Sequence, residues 1–267
     1  MKYYLRDILI SFIFFNQKII FLISSIFTFF IPIKKTKDRI MVGRETANLL
    51  NLYSKLFNCY SINTDHNRFY DSRYSLDLSK YPKFLKFFIL PLIFPFILKR
   101  FSSIWYFSSA SFFVSRDGRN WEFKTAKKKN LSIICFFMGA DIRSLKLAKK
   151  LSDSLGLDYW VNYIDSRQNR SIVENSDRRS MVYSGAADKY ADHILGAEKD
   201  NISYIKKDIH MIPMPVSRNR FIIDQPKWND LSTIKILHSP SSPITKGTQI
   251  VISVIKRLEL EGYNFDF

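Results

Sequence analysis

Lysine, glycine and threonine stand together near the end of the chain, at Lys246, Gly247 and Thr248, directly before an apolar-periodic stretch. A glycine at the start of a helix leaves backbone N–H groups exposed, and the helix dipole at that end favours an anion. The adjacent lysine adds a full positive charge. The three residues therefore suit the binding of a diphosphate, although many ordinary helices begin in the same way.

Other residue types that commonly take part in catalysis show no comparable grouping. The histidines have neither the spacing of a catalytic triad nor that of a metal site; they are His66, His193, His210 and His238. The two cysteines, Cys59 and Cys135, lie in apolar runs and are expected to fill the core in a reducing, cytosolic environment. The sequence therefore predicts no metal and no other cofactor, and its catalytic residues stay unknown.

The elements that position these residues alternate between short strands and helices from Arg39 onward. Apolar stretches predict strands at 39–43, 58–64, 102–109, 131–139, 193–196 and 209–216. Repeated alternation of this kind is typical of an α/β protein with a parallel sheet flanked by helices. The segment 131–139 is apolar on both faces, as expected for a central strand. The segment 159–165 fits either a strand or an irregular loop.

The sequence predicts four regions. They are an apolar membrane-associating extension at 1–38, a Rossmann-like domain at 39–216, a polar linker at 217–230 and an incomplete second Rossmann-like domain at 231–267. In the last region a helix with a C-terminal glycine, Gly262, is expected to bury a stripe of apolar residues: Ile250, Val251, Val254, Ile255 and Leu258. Two strands cannot cover such a stripe, so we expect a truncated product or half of a split enzyme.

The apolar segment 8–33 is long enough to span a bilayer, but Asn16, Gln17 and Lys18 interrupt it. A lysine in the middle of a membrane costs about 2.5–3.5 kcal/mol on insertion scales. We therefore expect two short apolar segments that lie at a membrane interface. The basic run 34–39 that follows would meet anionic headgroups and hold this flank in the cytoplasm.

A second apolar stretch, 84–101, contains Pro91 and Pro95, which are expected to break a helix. It fits a broken core helix or a second membrane-touching patch equally well. The chain carries a formal net charge of +17, which favours an anionic membrane, a phosphorylated substrate or nucleic acid. Short lysine runs without an aromatic RNA-binding motif or a zinc knuckle argue against nucleic acid. We expect a cytoplasmic protein, peripheral on the inner face of the cell membrane.

The last region resembles the start of the nucleotide-sugar domain in glycosyltransferase family 4-like enzymes, which have the GT-B fold. The similar residues are "ILHSPSSPITKGT", followed by a helix that ends in "LELEGY". Upstream, "CFFMGADIRS" and "ADKYADHILGAEKDNISYIKKDIHMIPMPVS" resemble further segments of that family in the same order. The resemblance covers residues 39–267.

This resemblance implies two Rossmann-like domains that face each other across a cleft. The residues it places at the donor diphosphate are Lys246, Gly247, Thr248 and His238. The residues it places on the acceptor side of the cleft are Gly43, Gly139, Asp141 and Arg143. Residue type alone leaves two alternatives open: Asp141 caps the helix that begins near Ser144, and His238 is an ordinary turn histidine.

The sequence departs from the family at two points. Many relatives have His-x-His-Gly before the aspartate, where Phe136 and Met138 stand here. The paired glutamates that grip the donor sugar in the family have no counterpart in this sequence. We therefore expect little activity, and whether the chain is an enzyme stays open.

The function implied by the resemblance is that of a glycosyltransferase, or a truncated remnant of one. It would transfer a sugar from a nucleotide-sugar donor to a surface-polysaccharide or lipid-linked saccharide acceptor. The alternative is a non-catalytic module that binds a membrane or an acceptor. A basic nucleic-acid-binding protein is the third and least favoured interpretation.

Overall fold

The computed structural model describes residues 2–65, 73–114, 116–138, 141–156, 166–196, 203–216, 234–239, 243 and 247–266. At 2–4, 166–171 and 234 the description is of the backbone alone. Several sequence expectations lie outside the described residues: the linker 217–230, the segment 159–165, Gly139 and Lys246.

The helices and strands follow the predicted alternation. The helices are α1 (Lys2–Phe30), α2 (Leu49–Leu56), α3 (Lys83–Arg100), α4 (Asn120–Lys128), α5 (Leu145–Ser154), α6 (Ser166–Tyr190) and α7 (Thr248–Leu260). The strands are β1 (Arg39–Gly43), β2 (Cys59–Asn63), β3 (Leu76–Asp77), β4 (Ser103–Phe107), β5 (Ser132–Phe137), β6 (His193–Gly196), β7 (Ile209–Met211), β8 (Ile234–Lys235) and β9 (Phe265–Asp266). The strand expected at 209–216 already ends at Met211, because Pro213 and Pro215 have no N–H to donate to a sheet ladder.

Strands β1 to β7 form one parallel sheet in the order β3-β2-β1-β4-β5-β6-β7. This is the strand order of a doubly wound, Rossmann-like sheet. Gly43, the last residue of β1, lies opposite Asn63 of β2 and Phe107 of β4. The prediction of an α/β fold with a Rossmann-like parallel sheet is therefore confirmed.

The two faces of the sheet bury separate apolar clusters. On β5, Ile133, Cys135 and Phe137 join the cluster beneath α1, α3, α4 and α6, whereas Ile134 and Phe136 join the cluster beneath α2. Alternation within one strand therefore supplies both layers, and the expectation that this strand is apolar on both faces is confirmed. Burying such a side chain contributes about 1.5–3 kcal/mol, so the middle strands anchor the fold.

The expected interruptions in the two apolar stretches are absent, and nearby side chains satisfy the groups at Pro91 and Lys18. Pro91 lies inside α3 and cannot donate to the carbonyl of Phe87. The side-chain amide of Gln17, from α1, donates to that carbonyl at 2.9 Å. The ammonium of Lys18 lies 4.2 Å from the centre of the Phe14 ring, where the cation is stabilised. Both helices therefore run unbroken, and the prediction of two short N-terminal segments is wrong.

Strands β8 and β9 pair in parallel on either side of α7 and form a separate β–α–β unit. The predicted C-terminal glycine is confirmed: Gly262 has φ +94°, and the N–H of Tyr263 donates to the Leu258 carbonyl at 3.1 Å, as in a Schellman motif. The predicted buried stripe is wrong in extent. Ile255 is buried, but Ile250 and Val254 are exposed, because two residues from each strand offer too little sheet to cover the helix.

Candidate functional site

The sheet has its topological switch point between β1 and β4. From β1 the order proceeds to β2 and β3 on one side, and from β4 to β5, β6 and β7 on the other. In open α/β sheets, ligands bind outside the carboxyl ends of the strands at such a point. Here those ends are Gly43 and Phe107, which are neighbours in the ladder.

Gly43 is required by packing at this edge. A Cβ atom at this position would lie 2.8 Å from both Leu50 Cδ1 of α2 and Phe107 Cβ of β4, closer than real Cβ contacts. The Gly43 carbonyl accepts from the backbone N–H of Thr64 at 2.8 Å and from its hydroxyl at 3.0 Å. The glycine thus lets α2 and the loop after β2 close down on the carboxyl end of β1.

Asp141 lies at the same edge, after β5, and holds the end of β4. Its carboxylate accepts from the hydroxyl of Ser108 at 2.6 Å and from the N–H of Met138 at 2.9 Å. Ser108 has φ +62°, a left-handed conformation that non-glycine residues seldom adopt. Burial raises the pKa of Asp141, and the two hydrogen bonds only partly oppose that effect. Asp141 therefore bridges two neighbouring strand ends.

Asp141 is not the cap of the next helix. Ser144 caps α5, because its hydroxyl oxygen accepts from the N–H of Leu147 at 3.1 Å. The Ser144 hydroxyl in turn donates to Asp177 of α6. Arg143 is another acceptor-side candidate. It lies between Asp141 and Ser144 in the sequence, and its side chain is half-buried.

Two buried ionisable residues beneath this edge, Arg119 and Glu122, were not found from the sequence. The guanidinium of Arg119 donates to the carbonyls of Ser108 and Ala110, at 3.1 Å each, and lies over the ring of Tyr183 at 4.9 Å. Glu122 accepts from the Ser111 hydroxyl at 2.5 Å, and burial raises its pKa to about 7. The segment "DGRNWEF" reads as a solvated helix start, so nothing in it signals burial. The pair fixes the loop after β4.

A second polar group, also missed, surrounds the end of β2. The side-chain oxygen of Asn63 accepts from the N–H of Glu45 at 3.1 Å, and its amide donates to Asp77 at 3.1 Å. One Glu45 oxygen accepts from the Tyr74 hydroxyl at 2.5 Å, whereas the other, Oε1, is buried without a hydrogen-bond partner among the described residues. The one sequence feature that could have indicated this polar group is the asparagine that ends the otherwise mostly apolar strand "CYSIN".

A groove of about 250 Å³ lies beside these loops. Its walls come from α1, from the N-terminal half of α3 and from the loops that follow β2 and β4. Phe87, Leu90 and Phe112 supply apolar surface, and Lys83 and Lys86 supply positive charge. Asp65 adds a carboxylate and the Lys86 ammonium donates to the Thr64 carbonyl at 2.7 Å, so the groove suits a ligand with an apolar part and a polar end.

At the other unit, the described donor-side candidates lie together at the start of α7. Gly247 precedes the helix with φ +67°, a left-handed conformation that favours glycine. His238, three residues after β8, has its Nε2 2.9 Å from the hydroxyl oxygen of Thr248. The Thr248 N–H donates to the Pro243 carbonyl at 3.0 Å. A turn histidine and the first residue of a helix thus share one polar site at a helix N-terminus.

Comparison of the chain with protein-family models, with curated proteins and with solved structures found no match.

Proposed function

We propose that the chain is a glycosyltransferase, or part of one, that takes a sugar from a nucleotide sugar and passes it to a saccharide or lipid-linked acceptor. The observation that carries the proposal is the contact between His238 and Thr248 beside the left-handed Gly247. The positive end of the helix dipole at the start of α7 and the neighbouring Lys246 suit a diphosphate. The resemblance of this segment to family 4-like enzymes agrees with that chemistry.

In this reaction an acceptor hydroxyl attacks the anomeric carbon of the donor sugar. The bond from that carbon to the diphosphate oxygen breaks, a bond to the acceptor oxygen forms, and the hydroxyl proton leaves to a base. Donor groups that face the departing diphosphate stabilise its growing charge, which is the role we assign to Lys246 and the start of α7. On the acceptor side, Gly43, Asp141 and Arg143 belong to the carboxyl edge of a doubly wound sheet, where such ligands bind.

Donor binding tests the proposal separately from turnover. The full chain is titrated calorimetrically with uridine, guanosine and adenosine diphosphate sugars. We expect one of them to bind, and we expect the double variant His238→Ala/Thr248→Val to weaken that binding at least about tenfold, which corresponds to about 1.4 kcal/mol. His210→Ala, which removes a histidine from the exposed strand β7, is the matched control and should leave binding unchanged.

Absence of binding by every nucleotide sugar at millimolar concentration would contradict the proposal, as would equal binding by the double variant and the control. In that case the second candidate, a non-catalytic membrane- or acceptor-binding module, is favoured by the exposed apolar surface of α1. If a nucleotide sugar does bind, turnover with a membrane acceptor distinguishes an active enzyme from a donor-binding remnant.

A further inference from the structure

Helix α1 has the reverse of the polarity expected for a surface helix. Of the four buried side chains among its described residues, three are polar, namely Gln17, Ser24 and Thr28, each at most 3% exposed, and the fourth is Phe21, which packs on Phe94 of α3. The opposite side of α1 carries Ile8, Phe12, Phe15, Ile19, Leu22 and Ile26, each between 40% and 64% exposed. A helix in water normally turns its apolar side to the core. A helix that contacts lipid can turn it outward.

Two of these buried polar side chains, Gln17 and Ser24, join α1 to the segments packed against it. Gln17 donates to the Phe87 carbonyl at 2.9 Å and accepts from the Val114 N–H at 2.7 Å. Ser24 donates to the Leu92 carbonyl at 2.6 Å. Since these groups are paired inside the protein, none of them has to be inserted into lipid. Gln17, one of the residues that argued against a membrane span in the sequence, is therefore satisfied within the fold.

Helix α3 extends the apolar surface. Phe84, Phe88 and Leu92 are spaced four residues apart, and each is exposed. The contacts of α1 with α3 run in the same order along both helices, from Gln17 on Phe87 to Ser24 on Leu92. The two helices therefore lie side by side and parallel, and each carries exposed apolar side chains.

Positive charge lies at the margin of this surface. Lys34, Lys35 and Lys37 follow α1 directly and are exposed. Arg100, at the end of α3, is also exposed, and the Lys99 ammonium donates to the Thr28 carbonyl at 2.8 Å. Cations beside an apolar surface match the arrangement of acyl chains and anionic headgroups in a leaflet.

We propose that the exposed face of α1, continued by Phe84, Phe88 and Leu92 of α3, lies flat in one leaflet of an anionic bilayer. An orientation in the membrane plane follows from the packing: α1 lies along α3, and α3 buries Phe94 and Ile97 in the core over the sheet. Judged by its length and apolar composition, the segment of α1 from Leu5 to Phe30 could by itself cross a membrane. Crossing it would separate Gln17 and Ser24 from their partners.

Vesicle flotation of the full chain tests the surface. Vesicles of phosphatidylcholine with about 30% phosphatidylglycerol should bind the protein at least about tenfold more strongly than phosphatidylcholine alone. The triple variant Phe12→Gln/Leu22→Gln/Ile26→Gln should lower partitioning at least about a hundredfold, because each change removes a buried apolar contact with lipid. The matched control Leu56→Gln/Leu155→Gln/Leu260→Gln changes three other exposed leucines and should bind as the parent does.

Depth measurements test the orientation. Ile8 and Ile26 are 18 residues apart, about five turns, so they lie on the same side of α1 and roughly 27 Å apart. Ile8→Cys and Ile26→Cys, each in a Cys59→Ala background, are labelled with an environment-sensitive dye and quenched by lipids that are brominated at known depths. Both labels should be at the same depth, about 5–10 Å below the headgroup boundary.

Three results would overturn the inference. They are no vesicle binding by the parent, equal binding by the triple variant and the parent, and labels at depths that differ by much of the helix length. Self-association that the triple variant abolishes, without lipid binding, would assign the surface to a second copy. Since vesicle binding requires no nucleotide sugar, this inference and the proposed glycosyl transfer can fail independently.

Discussion

At the scale of single residues, the carboxyl edge of the sheet depends on charged groups that are held away from water. Asp141 joins the ends of β4 and β5, and Arg119 holds the carbonyl of Ser108 from below. Burying such groups is costly unless their hydrogen-bonding atoms are paired. Both oxygens of Asp141 accept hydrogen bonds, whereas Nε and Nη2 of Arg119 have no hydrogen-bond partner among the described residues and its guanidinium lies over aromatic rings. The loop after β4 is therefore fixed by its polar contacts, which is the state that a binding edge requires.

Glu122 should make the stability of the protein depend on pH. Burial raises its pKa from 4.5 to about 7, so the folded chain holds a proton that the unfolded chain has released between these values. The free energy of unfolding should therefore decrease as pH rises from about 4.5 to about 7, by about 3 kcal/mol from this group, and then level off. Glu122→Gln should remove that dependence.

The measurement is urea unfolding of parent and variant at pH 4.5, 5.5, 6.5 and 7.5. The difference between their free energies isolates Glu122 from the other carboxylates, including Asp192, whose folded pKa is lowered and whose contribution has the opposite sign. A difference that is constant over this range would show that Glu122 titrates as it does in the unfolded chain.

Gly43→Ala should destabilise the fold by about 1–3 kcal/mol, because the added methyl would overlap Leu50 and Phe107 in a packed edge. Gly185→Ala is the matched control. Gly185 lies inside α6 with no atom within 4 Å of an added Cβ, so alanine there should be neutral or stabilising by up to about 1 kcal/mol. Thermal and urea unfolding of both variants check the contrast, and equal effects would count against close packing at Gly43.

Sequence reasoning at this scale found the residues with recognisable roles and missed those defined by tertiary contact. Gly43 ends a predicted strand and Asp141 lies two residues after another, and the family resemblance named both as site candidates. Arg119 and Glu122 were not, since a charged residue near a helix start is usually solvated and only the folded chain places these two among aromatic rings.

At the scale of elements, α1 and α3 depend on each other. Gln17→Leu removes the donor to the Phe87 carbonyl and the acceptor from Val114, and it should cost about 1–3 kcal/mol for each buried group left unpaired. Pro91→Ala supplies a backbone N–H to the same carbonyl. The penalty of Gln17→Leu should therefore be smaller in the Pro91→Ala background.

A double-mutant cycle in urea measures this coupling, since the two sites share one acceptor. We expect a coupling of about 1 kcal/mol between Gln17 and Pro91. The pair Ser24→Ala with Pro91→Ala is the control, because Ser24 donates to the carbonyl of Leu92, which the proline does not free. Additive effects for Gln17 and Pro91 would mean that the amide does not substitute for the missing N–H.

The same two helices show where sequence prediction of elements ends. Apolar runs and their boundaries located α3 and most strands, because periodicity and turn residues are local properties. At Asn16 and Lys18 the partners, Phe12 and Phe14, lie one turn earlier in α1 itself. The break predicted at Pro91 was wrong because the compensating group, the Gln17 amide, lies about 70 residues away in sequence. Local rules cannot include such a partner.

At the scale of the whole molecule, stability should be unevenly distributed. The sheet from β1 to β7 buries apolar residues on both faces, whereas α7 buries Ile255 and leaves Ile250 and Val254 exposed over two short strands. The parallel α/β sheet and the strand–helix–strand order of the last region were both predicted from the sequence, since each has its own local pattern. The apolar pattern of α7 could not predict how many of its side chains are buried, because that number depends on the area of sheet packed against the helix.

Hydrogen exchange detected by mass spectrometry should therefore show two levels of protection. Amides of β4 and β5 should exchange only through global unfolding, whereas those of α7 should exchange by local opening and several orders of magnitude faster. A nucleotide sugar that binds at the start of α7 should slow exchange at 247–260 and leave 132–137 unchanged, because ligand binding stabilises the part of the chain that holds it. Equal protection of α7 and β5 without ligand would show that both units unfold together. Slowing at the central strands alone would place the donor at the sheet edge around Gly43 and Asp141 instead.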